Sequence, residues 1–352
     1  MMTALSSSPR PAAYDIIRRA APLVLLLLGI LMIILLAGFG DIVLKRRVIL
    51  CLINITMVVG LYIFMGNSGI LNFSAVGFMA IGAYAAALLT MAPALKATFL
   101  PDLPGWLAAT QLPLLSGPAL GGLVAAALAL AMGGPIMRLS GIAAGIATFS
   151  LMFIIYVVLG NWNSLTGGQI SLMGLKAWVG LWQAGLFAMA AVAIAWIYQE
   201  TRWAIALRAS REDQVAARAS GIRVVRLRLG AYVLSAFVCG VGGGLYGHFQ
   251  GTLRVENFYL DPTFLYVAML VVGGMRSLSG AVIGTVTVSA LTEMLRQIET
   301  GLMVPGTGIT LSTPAGLGDV VLAAVMLFIL IYRPNGMTGG NEITVRFGRR
   351  RS

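Results

Sequence analysis

Long apolar runs separated by short polar connections organise this chain from residue 23 onward. They fall at roughly 23–40, 48–65, 70–94, 114–135, 139–160, 177–198, 229–250, 263–275, 279–298 and 317–332. A helix needs about 20 apolar residues to cross a hydrocarbon layer about 30 Å thick, so these runs predict membrane-spanning helices. The expected fold is therefore all-α: a polytopic transmembrane protein of about ten spans. Residues 1–22 are polar and basic, with Arg10, Arg18 and Arg19 ahead of the first run, an arrangement that superficially resembles a secretory signal. The run is too long for a signal core and no small-x-small site closes it, so it is read as an uncleaved first span.

Two places interrupt the pattern. The run 263–275 is short, and Gly273, Gly274, Ser277, Ser279 and Gly280 separate it from the next. The stretch Gly66-Asn67-Ser68-Gly69-Ile70-Leu71-Asn72-Phe73-Ser74 has the same character. Gly-broken hydrophobic segments are where transporters expose backbone groups to a solute, and one or two broken or re-entrant segments are expected here. Two tight turns would read the same way.

Charge sets the orientation. With the amino terminus inside, the inner segments hold Arg10, Arg18, Arg19, Arg138, the seven arginines of the 199–228 connection, Arg276 and the arginines of the tail, most of the 24 basic residues. Both termini are then cytoplasmic. This divides the chain into an amino-terminal segment (1–22), a transmembrane domain (23–332) with one long polar connection at 199–228, and a basic tail (333–352). Lys45, Arg46 and Arg47 resist the scheme, because they fall in the first outer connection. Trp106, Trp162, Trp178 and Trp203 lie near expected span ends, where indole rings favour the headgroup region.

Composition narrows the chemistry. Hydrophobic residues make up 59% and charged residues 10%, against about 25% charged in soluble domains, which excludes a soluble protein. The net charge of +12 is then a topology signal rather than a mark of nucleic-acid binding. Cys51 and Cys239 sit in apolar runs and His248 is the single histidine, so neither a metal site nor acid/base chemistry built on several histidines is indicated. Lys45, Lys96 and Lys176 each follow a leucine, so no Gly-Lys-Ser/Thr phosphate loop exists and this chain binds no ATP of its own. The acidic residues lie in connections or near span ends, as do Asp319 and Glu293, the latter at i, i+3 from Arg296, which argues against ion coupling. No cofactor, metal or catalytic group is expected, and the chain is not read as an enzyme. The run Gly240, Gly242, Gly243, Gly244, Gly247 lacks the strand context of a dinucleotide fingerprint and is read as close helix packing in lipid.

The 199–228 connection is helix-forming. Its segment Arg208 to Ile222 reads as a short amphipathic helix stopped by Gly221, suited to docking in a partner's groove. A solvated basic loop that only enforces topology is the alternative.

Several segments together resemble the LivM-type permease subunit of branched-chain amino acid ABC importers. They are Gly69-Ile70-Leu71-Asn72-Phe73-Ser74 with Gly77-Phe78 and Ile81-Gly82-Ala83-Tyr84; Leu139-Ser140-Gly141-Ile142; Asn161-Trp162-Asn163-Ser164-Leu165-Thr166-Gly167-Gly168; Arg208 to Ile222; Ala236-Phe237 with the glycine run; Gly273-Gly274-Met275-Arg276-Ser277-Leu278-Ser279-Gly280; and Arg333-Pro334-Asn335-Gly336. The match runs in order over about residues 50 to 337. The resemblance implies a subunit of the bacterial inner membrane that pairs with a second, LivH-type permease, two cytoplasmic ATPases that bind the ATP, and an external solute-binding protein. By that analogy the coupling segment to the ATPase contains Arg208, Arg211, Glu212, Ala216, Ala217 and Gly221. Asn72-Phe73-Ser74 stands where many relatives have Ser-Leu-Gly-His, so no role of that histidine carries over. Asn72, Ser74, Ser277 and Ser279, beside the two interruptions, are the candidates for the translocation path. The solute is expected to be a branched-chain or related amino acid; an ion-driven or facilitative carrier or channel without an ATPase is the competing class.

Overall fold

The computed structural model describes residues 12–299, 302–303, 310–311, 316–333, 335–340 and 342. The chain is helical almost throughout: α1 (Ala12–Gly38), α2 (Ile42–Ser68), α3 (Ala75–Thr90), α4 (Pro93–Phe99), α5 (Gly105–Ala109), α6 (Ser116–Ile136), α7 (Gly141–Asn161), α8 (Asn163–Thr166), α9 (Leu181–Gln199), α10 (Arg202–Glu212), α11 (Gln214–Ala219), α12 (Val224–Gln250), α13 (Leu260–Gly273), α14 (Leu278–Glu299) and α15 (Leu317–Tyr332). Among the described residues eight helices are long and apolar enough to cross a membrane, while α3 and α15 are shorter apolar helices. The ten apolar runs of the sequence thus correspond to eight long and two short helices. The only strands described are two-residue pairs, Leu172–Met173 with Thr252–Leu253 and Leu302–Met303 with Thr310–Leu311.

The centre of the bundle is α12, which lies against α2, α3 and α6. Lipid tails are as apolar as leucine, so association here depends on how closely the backbones approach. A Cβ at Gly82 would stand 2.1 Å from the carbonyl oxygen of Gly240, and one at Gly243 1.9 Å from that of Met79. The glycine run therefore brings α3 and α12 into direct backbone contact. Below the crossing the Tyr232 ring is fully buried between Phe64 and Phe78, with centroids 5.3 and 5.4 Å away in edge-on geometry. The sides of α2 away from α12 receive α9 and α14.

Contacts between connections show which ends of the helices lie together. Arg208 reaches Asn67, Arg228 donates to the carbonyl of Leu139, and Arg276 faces Glu212. The connections 66–74, 137–141, 199–228 and 274–277 thus share one end, in the alternation expected from charge. At the opposite end Thr90 meets His248 at 2.8 Å. There the buried Lys96 ammonium donates to the carbonyls of Leu107 and Thr110 and ties α4 to α5; burial holds it below the ordinary lysine range.

The basic triplet that disturbed the charge scheme is not in a loop. Span two begins at Ile42 rather than near 48, so Lys45, Arg46 and Arg47 occupy the first turns of α2. Arg47 Nε stands 2.8 Å from Glu293 of α14, and the Arg46 guanidinium lies 5.7 Å from the centroid of the Phe249 ring. An arginine neutralised by a carboxylate, and another over an aromatic face, are tolerated where a bare positive loop is disfavoured.

Candidate functional site

The 199–228 connection is an elbow, not the single helix expected between 208 and 222. Thr201 caps α10 by accepting the amide of Ala204, so the helix starts at Arg202. It stops at Asp213, whose backbone is extended and whose Oδ1 accepts the amides of Val215 and Ala216 at 2.8 and 3.0 Å. An aspartate bonding its own following backbone is a better helix start than helix interior, and this is the reason for the break. Gly221, at φ +80, ends the second arm as expected.

The coupling candidates divide by direction. Arg208 donates to the Asn67 side chain at 3.1 Å and to the Gln199 carbonyl at 2.9 Å, and Arg211 donates to the Gly66 carbonyl at 2.8 Å. Both guanidinium groups therefore sit on the carboxyl end of α2, where unpaired carbonyls and the negative end of the helix dipole favour a cation. Ala217 is buried, 6% exposed, with α11 set against the start of α12. Glu212, Ala216 and Gly221 face outward. Glu212 lies 3.1 Å from Arg211 and 3.6 Å from Arg276, an exposed cluster worth little in stability. Sequence reasoning missed Val215, which is 78% exposed at the tip of the elbow. Its signal was present: one valine two residues after the Asp213 cap, the single large apolar side chain between Arg208 and Gly221.

The first interruption is a genuine break. Gly69, at φ +70, returns its amide to Met65 and ends α2; the chain then runs without helix to Ser74, where α3 starts. Asn72 Oδ1 accepts both the amide of Ser74 at 3.1 Å and its hydroxyl at 2.7 Å, and Ser74 Oγ lies 2.7 Å from the Tyr232 hydroxyl. Thr148 of α7 donates to the Leu71 carbonyl and accepts the Phe73 amide, both at 3.3 Å. Tyr232 is two turns into α12, so the start of α3 is joined to the interior of that helix rather than to its first turn. Asn72 is 1% exposed, and its Nδ2 has no acceptor. Leaving such a donor unmet costs about 1–3 kcal/mol.

The second interruption is strapped. Gly274, at φ +121, separates α13 from α14, and residues 336–340 and Glu342 lie across the gap. Met337 and Thr338 donate their amides to the carbonyls of Val272 and Gly273. Ser277 Oγ lies 2.8 Å from Thr338 Oγ1 and accepts the Gly280 amide at 3.1 Å. The Glu342 carboxylate accepts the amides of Leu278 at 2.6 Å and Ser279 at 3.2 Å, capping α14. The four path candidates are thus all buried but form two groups: Asn72 and Ser74 with Tyr232, deep in the bundle, and Ser277 and Ser279 beneath the tail at its end. The two breaks adjoin, since a Cβ at Gly66 would stand 2.7 Å from the Met275 carbonyl oxygen. Tail residues 343–352 lie outside the described residues, as do 1–11.

The sequence profile of the family described as branched-chain amino acid transport system / permease component matches residues 43–330. The high-affinity branched-chain amino acid transport system permease protein LivM of Escherichia coli is 27% identical over 322 residues, covering 82% of this chain and 68% of the relative. LivM of Salmonella typhimurium is 28% identical, covering 81% and 68%. A probable branched-chain amino acid transport permease protein LivH of Methanocaldococcus jannaschii is 31% identical over 140 residues, covering 40% of this chain and 42% of the relative. No solved structure matches.

Proposed function

Because this chain belongs to the family of branched-chain amino acid transport system permease components, we propose that it works with a second, LivH-type permease, two cytoplasmic ATPases and an external solute-binding protein to import branched-chain or related amino acids at the cost of ATP. It is a multi-pass membrane protein and a permease subunit. The bundle end carrying the 199–228 elbow faces the cytoplasm of a bacterial inner membrane, as its arginines require. ATP and its hydrolysis belong to the partner subunits, and this chain holds no cofactor. The transmembrane domain spans 23–332, with the basic tail beyond it.

The observation that carries the reading is the elbow itself. Its tip presents Glu212, Val215, Ala216 and Gly221 outward, while Arg208 and Arg211 grip the carboxyl end of α2. Arg208, Arg211 and Ala217 are then positioning residues behind the docking tip, rather than contacts with the ATPase. Force applied at the tip by closure of the ATPase pair enters α2, and through it α12, which shifts the bundle between outward-open and inward-open states. The path runs past Asn72 and Ser74, and Ser277 and Ser279 hold the adjoining break.

The test is leucine uptake into proteoliposomes containing the complete complex, with the binding protein outside and ATP inside. Uptake that requires ATP, and is lost when the ATPases are omitted, supports the reading. Uptake that persists without ATP while an ion gradient is kept, or accumulation by this chain alone, overturns it in favour of an ion-driven carrier.

A further inference from the structure

The amino end of α3 has the chemistry of a carboxylate subsite. Its first-turn amides, those of Ala75, Val76 and Gly77, have no acceptor within the helix, and all three residues are buried. The Asn72 side chain sits at the same turn, and its orientation is fixed. Two donors from Ser74 converge on Oδ1, so rotating the amide would set an N–H group against them. Nδ2 is therefore held as a free donor at a position 1% exposed. A helix of 16 residues contributes the positive end of its dipole at the same buried turn. Half-helix amino ends within a membrane are suited to anionic groups of a solute. Among the described residues no acidic side chain is bonded to this turn, while the neighbouring oxygens of Asn72, Ser74 and Tyr232 are engaged with one another.

Resting on the transport reading above, we infer that the α-carboxylate of the transported amino acid is bound in passage by Asn72 Nδ2 and the first-turn amides of α3. Access is controlled by α7. Thr148 of that helix bonds the 71–73 backbone, and a Cβ at Gly77 would meet Ile155 at 2.8 Å, so α7 covers the turn. Withdrawal of α7 exposes the donors, and its return occludes them. A neutral, hydrogen-bonding subsite of this kind holds a carboxylate without a buried cation, so the solute is released when α7 moves.

Two variants separate this role from a structural one. Asn72→Asp keeps an oxygen for both Ser74 donors but replaces the free N–H group with a second carboxylate oxygen. Asn72→Ala removes the acceptor as well. A structural role moves thermal stability and leucine uptake together, ranking the variants in the same order in both. The carboxylate role separates the two readouts: uptake falls in the order wild type, Ala, Asp, whichever variant melts lower, with Asp reduced at least about tenfold, an increase of about 1.4 kcal/mol in the barrier. The measurement uses the complete complex in proteoliposomes with leucine as the probe, and thermal unfolding of the same preparations. Asn72→Asp uptake within twofold of a competent wild type overturns the subsite alone. A wild-type complex that hydrolyses ATP yet carries no leucine overturns the transport reading, and the subsite with it.

Discussion

Two joints of the bundle are built in opposite ways. Where α3 crosses α12, backbone touches backbone at Gly82 and Gly243. Where α7 meets the 69–74 break and the start of α13, beyond the Thr148 bonds to the 71–73 backbone, contact is made by partly exposed aromatic rings: Phe73 with Phe149 at 5.7 Å and Phe264 at 6.3 Å, then Phe153 and Tyr156 with Tyr259 at 5.4 and 4.3 Å. A carbonyl lodged against a Cα has no second arrangement of similar energy, whereas edge-on rings hold their attraction over a range of offsets. The first joint is a scaffold. The second is a sliding seam, and it lies over the proposed subsite.

The contrast is broken most severely at the crossing. Gly243→Val drives a side chain into the Met79 carbonyl and should cost at least about 3 kcal/mol, read as loss of a monodisperse, cooperatively unfolding protein. An unchanged melting temperature would show that the crossing yields. At the seam, Phe149→Ala should cost only about 1–2 kcal/mol, because the ring is half-buried. Hydrogen exchange should then quicken across 141–161 and stay unchanged across 224–250; equal acceleration in both would dissolve the distinction between the joints.

Smaller effects test the bundle end that carries the elbow. Glu342→Gln keeps an acceptor but removes the charge, and should cost about 0.5–1 kcal/mol, with faster exchange confined to the amides at the start of α14. Val215→Asp, at the exposed elbow tip, should alter stability by less than about 0.5 kcal/mol. The same change should lower ATP-driven uptake about tenfold, the equivalent of one docking contact. Full uptake in that variant would remove the elbow tip from the coupling surface.

Much of this was legible along the chain. Continuous apolar runs marked every long helix, because hydrocarbon demands them, and glycines marked both breaks and the crossing. What escaped was set by contacts between distant segments. The start of α2 was misplaced because Arg47 looks unburiable until Glu293, far along the chain, is beside it. The elbow was read as one helix because Asp213 capping competes with helix continuation by a margin that propensity alone does not resolve. The sequence places Arg208 and Arg211 in the coupling segment without a direction; the carbonyl of Gly66 and the Asn67 side chain, which turn them inward, lie on another helix. Ser277 gave no sign that its partner would be Thr338.

The strap from the tail also bears on how the molecule is made. The amide of Ser279 waits for a carboxylate that lies 63 residues further along the chain. During synthesis the last long helix therefore enters the bilayer with only its local Ser277 cap, and the carboxylate that accepts the Leu278 and Ser279 amides arrives only after α15 has been inserted and the segment behind it has left the ribosome. The α13–α14 joint is thus completed last, by a carboxylate supplied from behind the final helix.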